Sequence, residues 1–271
     1  MIIVAGQTGL PGLTRPVHPA ANPATTEIQP RPFSYRAVGE FLRDGVPVDG
    51  PLVQVENPAL LTIMTYQVST ADYAQCVTDG ACRSAEPRRP RAGEVPVTGV
   101  SFNDAQAYAD WLSQATGQHW RLPTIQEWAF AAGSRAVDHA LPRPTDAANP
   151  ADRWLLAYKQ ASALSADGAA APEVRGSFGV NELGVADLAG TLWEWTASCN
   201  SRVILDGENR VVSTLESCGV RYLEGRHRTP MSAFVRDARG GGCSAGLPPD
   251  NLGFRLVRER NWSAALLDLF R

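Results

Sequence analysis

One cysteine near the end of the chain is the first candidate for chemistry. Cys243 lies in the stretch RGGGCSAGLPPDNLGFRLV, between a run of glycines and an apolar segment. A thiolate can act as a nucleophile, or it can bind a soft metal ion such as copper(I), with His227 or Met231 as possible partners. A free cysteine is also among the most buried residue types and then acts as a small apolar side chain. The sequence favours the buried role, because a lone thiolate binds metal poorly.

The other four cysteines form two pairs that could be disulfides. Cys76 and Cys82 flank an Asp-Gly turn, and Cys199 and Cys218 would close a longer loop. Two disulfides with one leftover thiol are typical of an oxidising compartment, so we expect a periplasmic or secreted protein. Five reduced, buried cysteines in a cytosolic protein remain the alternative, because spacing does not fix pairing. Neither pair has the CxxC form of a zinc site.

Composition and motifs exclude several other classes. The chain has 271 residues, with 25 basic and 28 acidic side chains and no block of like charge. Neither a nucleic acid nor an anionic membrane surface is therefore expected as a partner. The opening MIIVAGQTGLPG is too short for a membrane span and is not a complete signal peptide, although it could be the end of one. The four histidines lack metal-ligand spacing, and GxSxG, phosphate-loop and dinucleotide motifs are missing.

Short strands and two capped helices are expected to form the scaffold. Between residues 33 and 67, apolar and polar residues alternate around turn residues, which predicts several strands. Ser101 with Asp104, and Thr124 with Glu127, have the spacing of a capping box at the start of a helix. RWLLAYKQASAL predicts a further short helix, GVADLAGTLWEWTASC a turn into an aromatic strand, and LGFRLVRE a last buried strand.

The chain divides into three regions on this interpretation. Residues 1–32 are rich in Pro, Thr and Ala without periodicity, which predicts an extended arm. We expect this arm either to contact another protein, which would offset its loss of entropy, or to be a frayed linker. Residues 33–260 are expected to form a single domain, and residues 261–271 a short helix.

Five stretches, in this order, resemble the formylglycine-generating-enzyme family, whose members are also called sulfatase-modifying factors. They are YQVSTADYAQC at Tyr66, PVTGVSFNDAQAYADWL at Pro96, RLPTIQEWAFAA at Arg121, NELGVADLAGTLWEW at Asn181 and RGGGC…NLGFR at Arg239. Chance agreement of five ordered motifs is far rarer than of one. The resemblance implies an α+β fold of the formylglycine-generating-enzyme type, a C-type-lectin-like variant with little regular secondary structure. The paired cysteines are also similar to those of exported relatives.

The resemblance also implies metal sites, and this chain departs from both. Active members bind copper(I) with two thiolates after the RGG segment, but here only Cys243 is present, so copper is not expected. The element corresponding to GNVWE implies calcium ligands at Gly190, Leu192 and Glu194, although a threonine replaces its asparagine. Glu194 could instead be an ordinary strand carboxylate paired with Arg255 or Arg239.

These features lead to an expected function and an alternative. We expect an exported family member with altered catalysis that binds another periplasmic protein or peptide, as an accessory factor in the maturation of a metalloenzyme. The alternative is an oxidase that acts on a peptide or a siderophore-like precursor. A ligand-display protein is a third and weaker possibility. Cys243 is the only residue to which a catalytic role is assigned.

Overall fold

The computed structural model describes residues 18–138, 140–142, 149–165, 171–190, 192–237 and 251–259. Cys243, the segment 1–17 and the predicted helix 261–271 lie outside these ranges. Within them, no helix is both long enough and apolar enough to cross a membrane.

Local sequence signals start the first three helices. Capping boxes form at Ser69, Ser101 and Thr124, where each hydroxyl accepts from the backbone N–H three residues on. The two helices predicted from this spacing are confirmed, and Gly117 ends one of them in the left-handed region at φ 67°. The predicted short helix is also present and is longer than expected. The helices are α1 (Thr70–Thr78), α2 (Phe102–Thr116), α3 (Ile125–Ala132) and α4 (Pro150–Ser165).

The strands form two sheets and a ribbon. They are β1 (Thr25–Ile28), β2 (Phe33–Arg36), β3 (Glu40–Arg43), β4 (Val46–Val48), β5 (Leu52–Val55), β6 (Leu61–Met64), β7 (Trp120–Arg121), β8 (Trp193–Leu205), β9 (Val211–Glu224), β10 (Thr229–Ser232), β11 (Leu252–Gly253) and β12 (Val257–Arg258). One sheet has the order β1-β6-β12-β7, and β2 pairs with β5 alone. The other has the order β10-β9-β8-β3-β4, with β11 parallel to the start of β8.

The boundary of the predicted N-terminal arm is wrong. Residues 25–28 form β1, which pairs antiparallel with β6, and Ile28 is buried against α3 and β6. Upstream of β1, the Nδ1 atom of His18 lies 2.6 Å from Asp79 Oδ1. The segment TTEI is only four residues long, too short to show a clear strand periodicity in a proline-rich context.

The predicted last strand is in fact two short strands in different sheets. Leu252–Gly253 pairs with β8, whereas Val257–Arg258 pairs with β6 and β7. The residues between them cross from one sheet to the other, and Phe254, Arg255 and Leu256 are all fully buried there. An apolar run cannot reveal such a crossing, because a continuous strand would show the same burial.

Two apolar clusters flank this crossing. The larger packs α1 and α2 against the start of β8, with Trp111, Trp120, Trp195 and Phe254 among its members. The smaller packs α3 against β1, β6 and β12. Because β8 and the crossing contact both sides, the polar groups they carry are held at the centre of the domain.

Candidate functional site

A fully buried ion pair lies at the centre of the molecule. Glu194, the second residue of β8, is 1% exposed, and Arg255, in the crossing between β11 and β12, is 0% exposed. Arg255 donates from Nε to Glu194 Oε2 and from Nη2 to Glu194 Oε1, both at 2.7 Å. This two-pronged geometry is the strong form of an arginine–carboxylate pair. Of Arg255 and Arg239, the two arginines expected as partners of Glu194, Arg255 makes the contact, whereas Arg239 lies outside the described residues.

Neighbouring groups complete the hydrogen bonding of both members. Glu194 also accepts from Gln67 Nε2 at 2.8 Å and from Trp128 Nε1 at 3.0 Å. Arg255 donates further to the carbonyl oxygens of Thr65 and Ala186. A buried ion pair is tolerated when its remaining donors and acceptors are satisfied in this way. The network ties β6, α3, β8 and the crossing segment together.

The residues expected to bind calcium do not fit that ion. Both carboxylate oxygens of Glu194 accept from nitrogen donors, one of them a guanidinium. The carbonyl oxygen of Gly190 accepts from Arg226 Nε at 3.0 Å. Calcium needs six or more oxygen ligands without competing cations. Two of the three expected ligands, Gly190 and Glu194, therefore bind arginines, and Leu192 alone cannot make the site.

A cleft opens on the other side of Trp128. It has a volume of about 310 Å³ and lies between the β2–β5 ribbon, α3 and the end of β9. Its lining includes Tyr35, Arg36, Trp128, Asp138, Glu224 and Arg228. Such a volume is at the lower end of the range found for ligand pockets.

The charged groups of this cleft are paired with one another. Arg36 donates to both carboxylate oxygens of Asp138, at 2.8 and 2.6 Å, and this hydrogen bonding raises the pKa of Arg36. Arg228 Nε donates to Glu224 Oε1 at 2.5 Å. Burial raises the pKa of Tyr35, with a smaller opposite effect from Arg228, so its phenol stays protonated. The cleft thus presents the ring of Tyr35 and compensated charges, which suits a neutral ligand better than an anion.

Both predicted disulfides are present in the structure. Cys76 bonds Cys82, and Cys199 bonds Cys218. They use four of the five cysteines of the chain, which leaves Cys243 as the one cysteine outside these bridges.

Sequence reasoning missed the cleft. Tyr35 lies far along the chain from Glu224 and Arg228, and no motif marks any of the three. The spacing of four between Glu224 and Arg228 was the only local signal. His227 lies in the loop between β9 and β10, where it is 4% exposed, and its backbone carbonyl accepts from Trp193 Nε1.

Comparison with known proteins places the chain in a family. The profile described as the sulfatase-modifying factor enzyme 1-like domain matches residues 14–260. The chain belongs to this family. The match covers β1 and all later described elements, in agreement with the early start of the folded domain.

Individual family members are identical to this chain at about a third of the aligned positions. The inactive C-alpha-formylglycine-generating enzyme 2 of Bos taurus is 28% identical over 176 residues, which are 63% of this chain and 54% of that protein. The formylglycine-generating enzyme of Streptomyces coelicolor is 31% identical over 193 residues, which are 65% of this chain and 59% of that protein. The chain thus aligns with little more than half the length of these relatives.

The solved structure of PvdO from Pseudomonas aeruginosa is similar in fold. It has a TM-score of 0.57 at 21% identity, over 88% of this chain and 95% of that one. Together with the family match, this confirms the expected fold class, the mixed α+β formylglycine-generating-enzyme fold with a C-type-lectin-like arrangement and few helices.

Proposed function

We propose that this family member does not generate formylglycine with a pair of copper-binding thiolates. It instead binds a segment of another protein, as an accessory factor in the maturation of a periplasmic metalloenzyme. On this proposal the family scaffold serves for binding rather than for oxidation.

The observation that carries the proposal is the pairing of the cysteines. Two disulfides occupy four of the five cysteines, so one chain has one thiol to offer copper(I). A site of two soft thiolates cannot form from Cys243 alone. The relative from Bos taurus whose name describes it as inactive is in keeping with a family scaffold used without that chemistry.

The cleft beside Trp128 supports binding of a chain segment. Its lining includes the half-buried ring of Tyr35, and its cations are already paired with Asp138 and Glu224. An anionic ligand would have to break one of these pairs, whereas an uncharged peptide side chain would not.

The activity part is tested with a cysteine-containing peptide of the sulfatase type. The purified chain is incubated aerobically with the peptide and copper, and the peptide mass is followed with a Cys243→Ser variant alongside. We expect no conversion to the aldehyde. A mass loss matching aldehyde formation that disappears in the variant contradicts the proposal and favours the oxidase alternative.

The binding part is tested by blocking the cleft. Leu52 lines the cleft and is 46% exposed, so Leu52→Arg fills the opening with little loss of core packing. Val46 is 40% exposed and is outside the cleft lining, so Val46→Arg is the matched control. Crosslinking in periplasmic extract should yield a partner that is lost with Leu52→Arg and kept with Val46→Arg. Equal capture by both variants contradicts binding in the cleft.

A further inference from the structure

The two disulfides have contrasting environments. Cys76 is 0% and Cys82 8% exposed, and both belong to the main apolar cluster. Cys199 is half-buried and Cys218 is exposed, near the middle of the hairpin formed by β8 and β9. A thiol from solution can therefore reach the second bridge and not the first.

Access of a thiol to the bridge between Cys199 and Cys218 comes from the outer edge of β9. On that side β10 pairs only with residues from Val220 to Leu223. Among the described residues, no strand covers the outer edge of residues 211–219, which are all exposed, and only Ala233 contacts that edge, through a hydrogen bond to the Gly219 carbonyl. Cys218 lies within this uncovered part.

A cation contacts one sulfur of the bridge. Arg221 Nη1 lies 3.0 Å from Cys199 Sγ. The guanidinium is held in place by a hydrogen bond to the Ala197 carbonyl and by its position 4.4 Å above the Phe102 ring. Burial lowers the pKa of Arg221, yet an arginine remains charged at neutral pH. A guanidinium at this distance stabilises a thiolate on Cys199.

An acidic group acts in the opposite direction. The carboxylate of Glu216 lies within 4.8 Å of the sulfurs of Cys199 and Cys218. It disfavours negative charge on either sulfur, whereas Arg221 contacts Cys199. Cys199 is thus the better leaving group and Cys218 the more accessible point of attack.

We propose that the bridge between Cys199 and Cys218 is a thiol–disulfide exchange site that reacts with a dithiol. A thiolate of the dithiol attacks Cys218 Sγ, the bond to Cys199 breaks, and the electron pair leaves on Cys199 as a thiolate beside Arg221. The second thiol then attacks the mixed disulfide and releases Cys218. In total the dithiol is oxidised to a disulfide, and the bridge takes up two electrons and two protons. This activity does not depend on the proposed binding role.

The test follows the reduction of both bridges in one protein. All variants carry Cys243→Ser, so that alkylation and mass spectrometry report only on the bridges. With dithiothreitol, the bridge between Cys199 and Cys218 should be reduced at least about tenfold faster than the buried bridge. Similar rates for the two bridges overturn the proposal.

Substitutions separate the effect of Arg221 from simple exposure. Arg221→Gln should slow reduction of the exposed bridge about three- to tenfold, because Cys199 becomes a poorer leaving group, and Arg221→Lys should restore part of the rate. Glu216→Gln should accelerate it. Arg202→Gln, on the same hairpin, is the control and should have no effect. An unchanged rate in Arg221→Gln overturns the assigned mechanism.

A second measurement needs no arginine variant. Brief reaction of the Cys243→Ser protein with glutathione, quenched with acid, should trap the mixed disulfide on Cys218. Slow reduction of the buried bridge in the same sample shows that the chain is folded. A mixed disulfide found mainly on Cys199 contradicts the proposed direction of attack.

Discussion

Removing the buried guanidinium at the centre of the fold should destabilise the protein strongly. The substitution Arg255→Met keeps an aliphatic side chain of similar length to the stem of arginine and removes the charged guanidinium. Glu194 would then lack a counterion in a fully buried position, with only Gln67 and Trp128 as donors. The carbonyls of Thr65 and Ala186 would each lose a donor as well.

The expected size follows from these losses. Breaking a buried ion pair by removing one partner costs about 3–5 kcal/mol, because the remaining charge has no counterion. In a chain of this size each kcal/mol corresponds to roughly 2–4 °C in melting temperature, so the variant should melt about 10 °C lower. The double variant Glu194→Gln with Arg255→Met should be more stable than Arg255→Met alone, since no charge is left buried.

Urea unfolding of all variants measures these differences. The control is Arg202→Met, which breaks the pair of Arg202 with Glu40, whose side chains are 59% and 53% exposed. An exposed pair contributes about 0–1 kcal/mol, so the control should stay close to the wild type. If Arg255→Met also stays within about 1 kcal/mol, the assignment of a stabilising network to Glu194 and Arg255 is refuted.

Two further results are expected. Calcium should not raise the melting temperature, because Gly190 O and Glu194 already accept from Arg226 and Arg255; a calcium-dependent rise that EGTA reverses would contradict this. The second concerns Asp104, where burial alone would raise the pKa of the carboxyl, but hydrogen bonds from Arg236 and Ser101 outweigh burial and lower it. Because this pKa is lower in the folded than in the unfolded chain, the stability it provides is present above about pH 4 and is lost as the pH falls through the folded-state value. The gap in unfolding free energy between wild type and Asp104→Asn should therefore shrink from pH 7 towards pH 3 in urea titrations, and a constant gap would show that the carboxylate charge is not involved.

Local features were predictable because their causes are local. A capping box needs only residues three positions apart, so Ser101 with Asp104 and Thr124 with Glu127 marked their helices correctly. The turn at Asp79-Gly80 likewise joins cysteines six positions apart. The ordered motifs identified the family, and with it the fold class, because so many spaced matches do not arise by chance.

The candidate site depended on contacts that no local pattern encodes. Gln67 and Glu194 are 127 positions apart, and Arg255 lies 61 positions beyond Glu194. Arg255 was one of two arginines named for Glu194, since the sequence could not decide between it and Arg239. The choice follows from the crossing between β11 and β12, which carries Arg255 through the centre of the fold.

The sequence by itself therefore determined the family, the fold class and the helices capped at Ser101 and Thr124, and it indicated two cysteine pairs without fixing them. Only the tertiary structure decided that arginines meet the expected calcium ligands, that a cleft opens beside Trp128, and that β1 belongs to the sheet. It also decided that one disulfide is buried while the other is exposed beside Arg221. The reason is physical, because helix caps and tight turns are set by neighbours in the chain, whereas burial and ion pairing are set by which distant segments pack together.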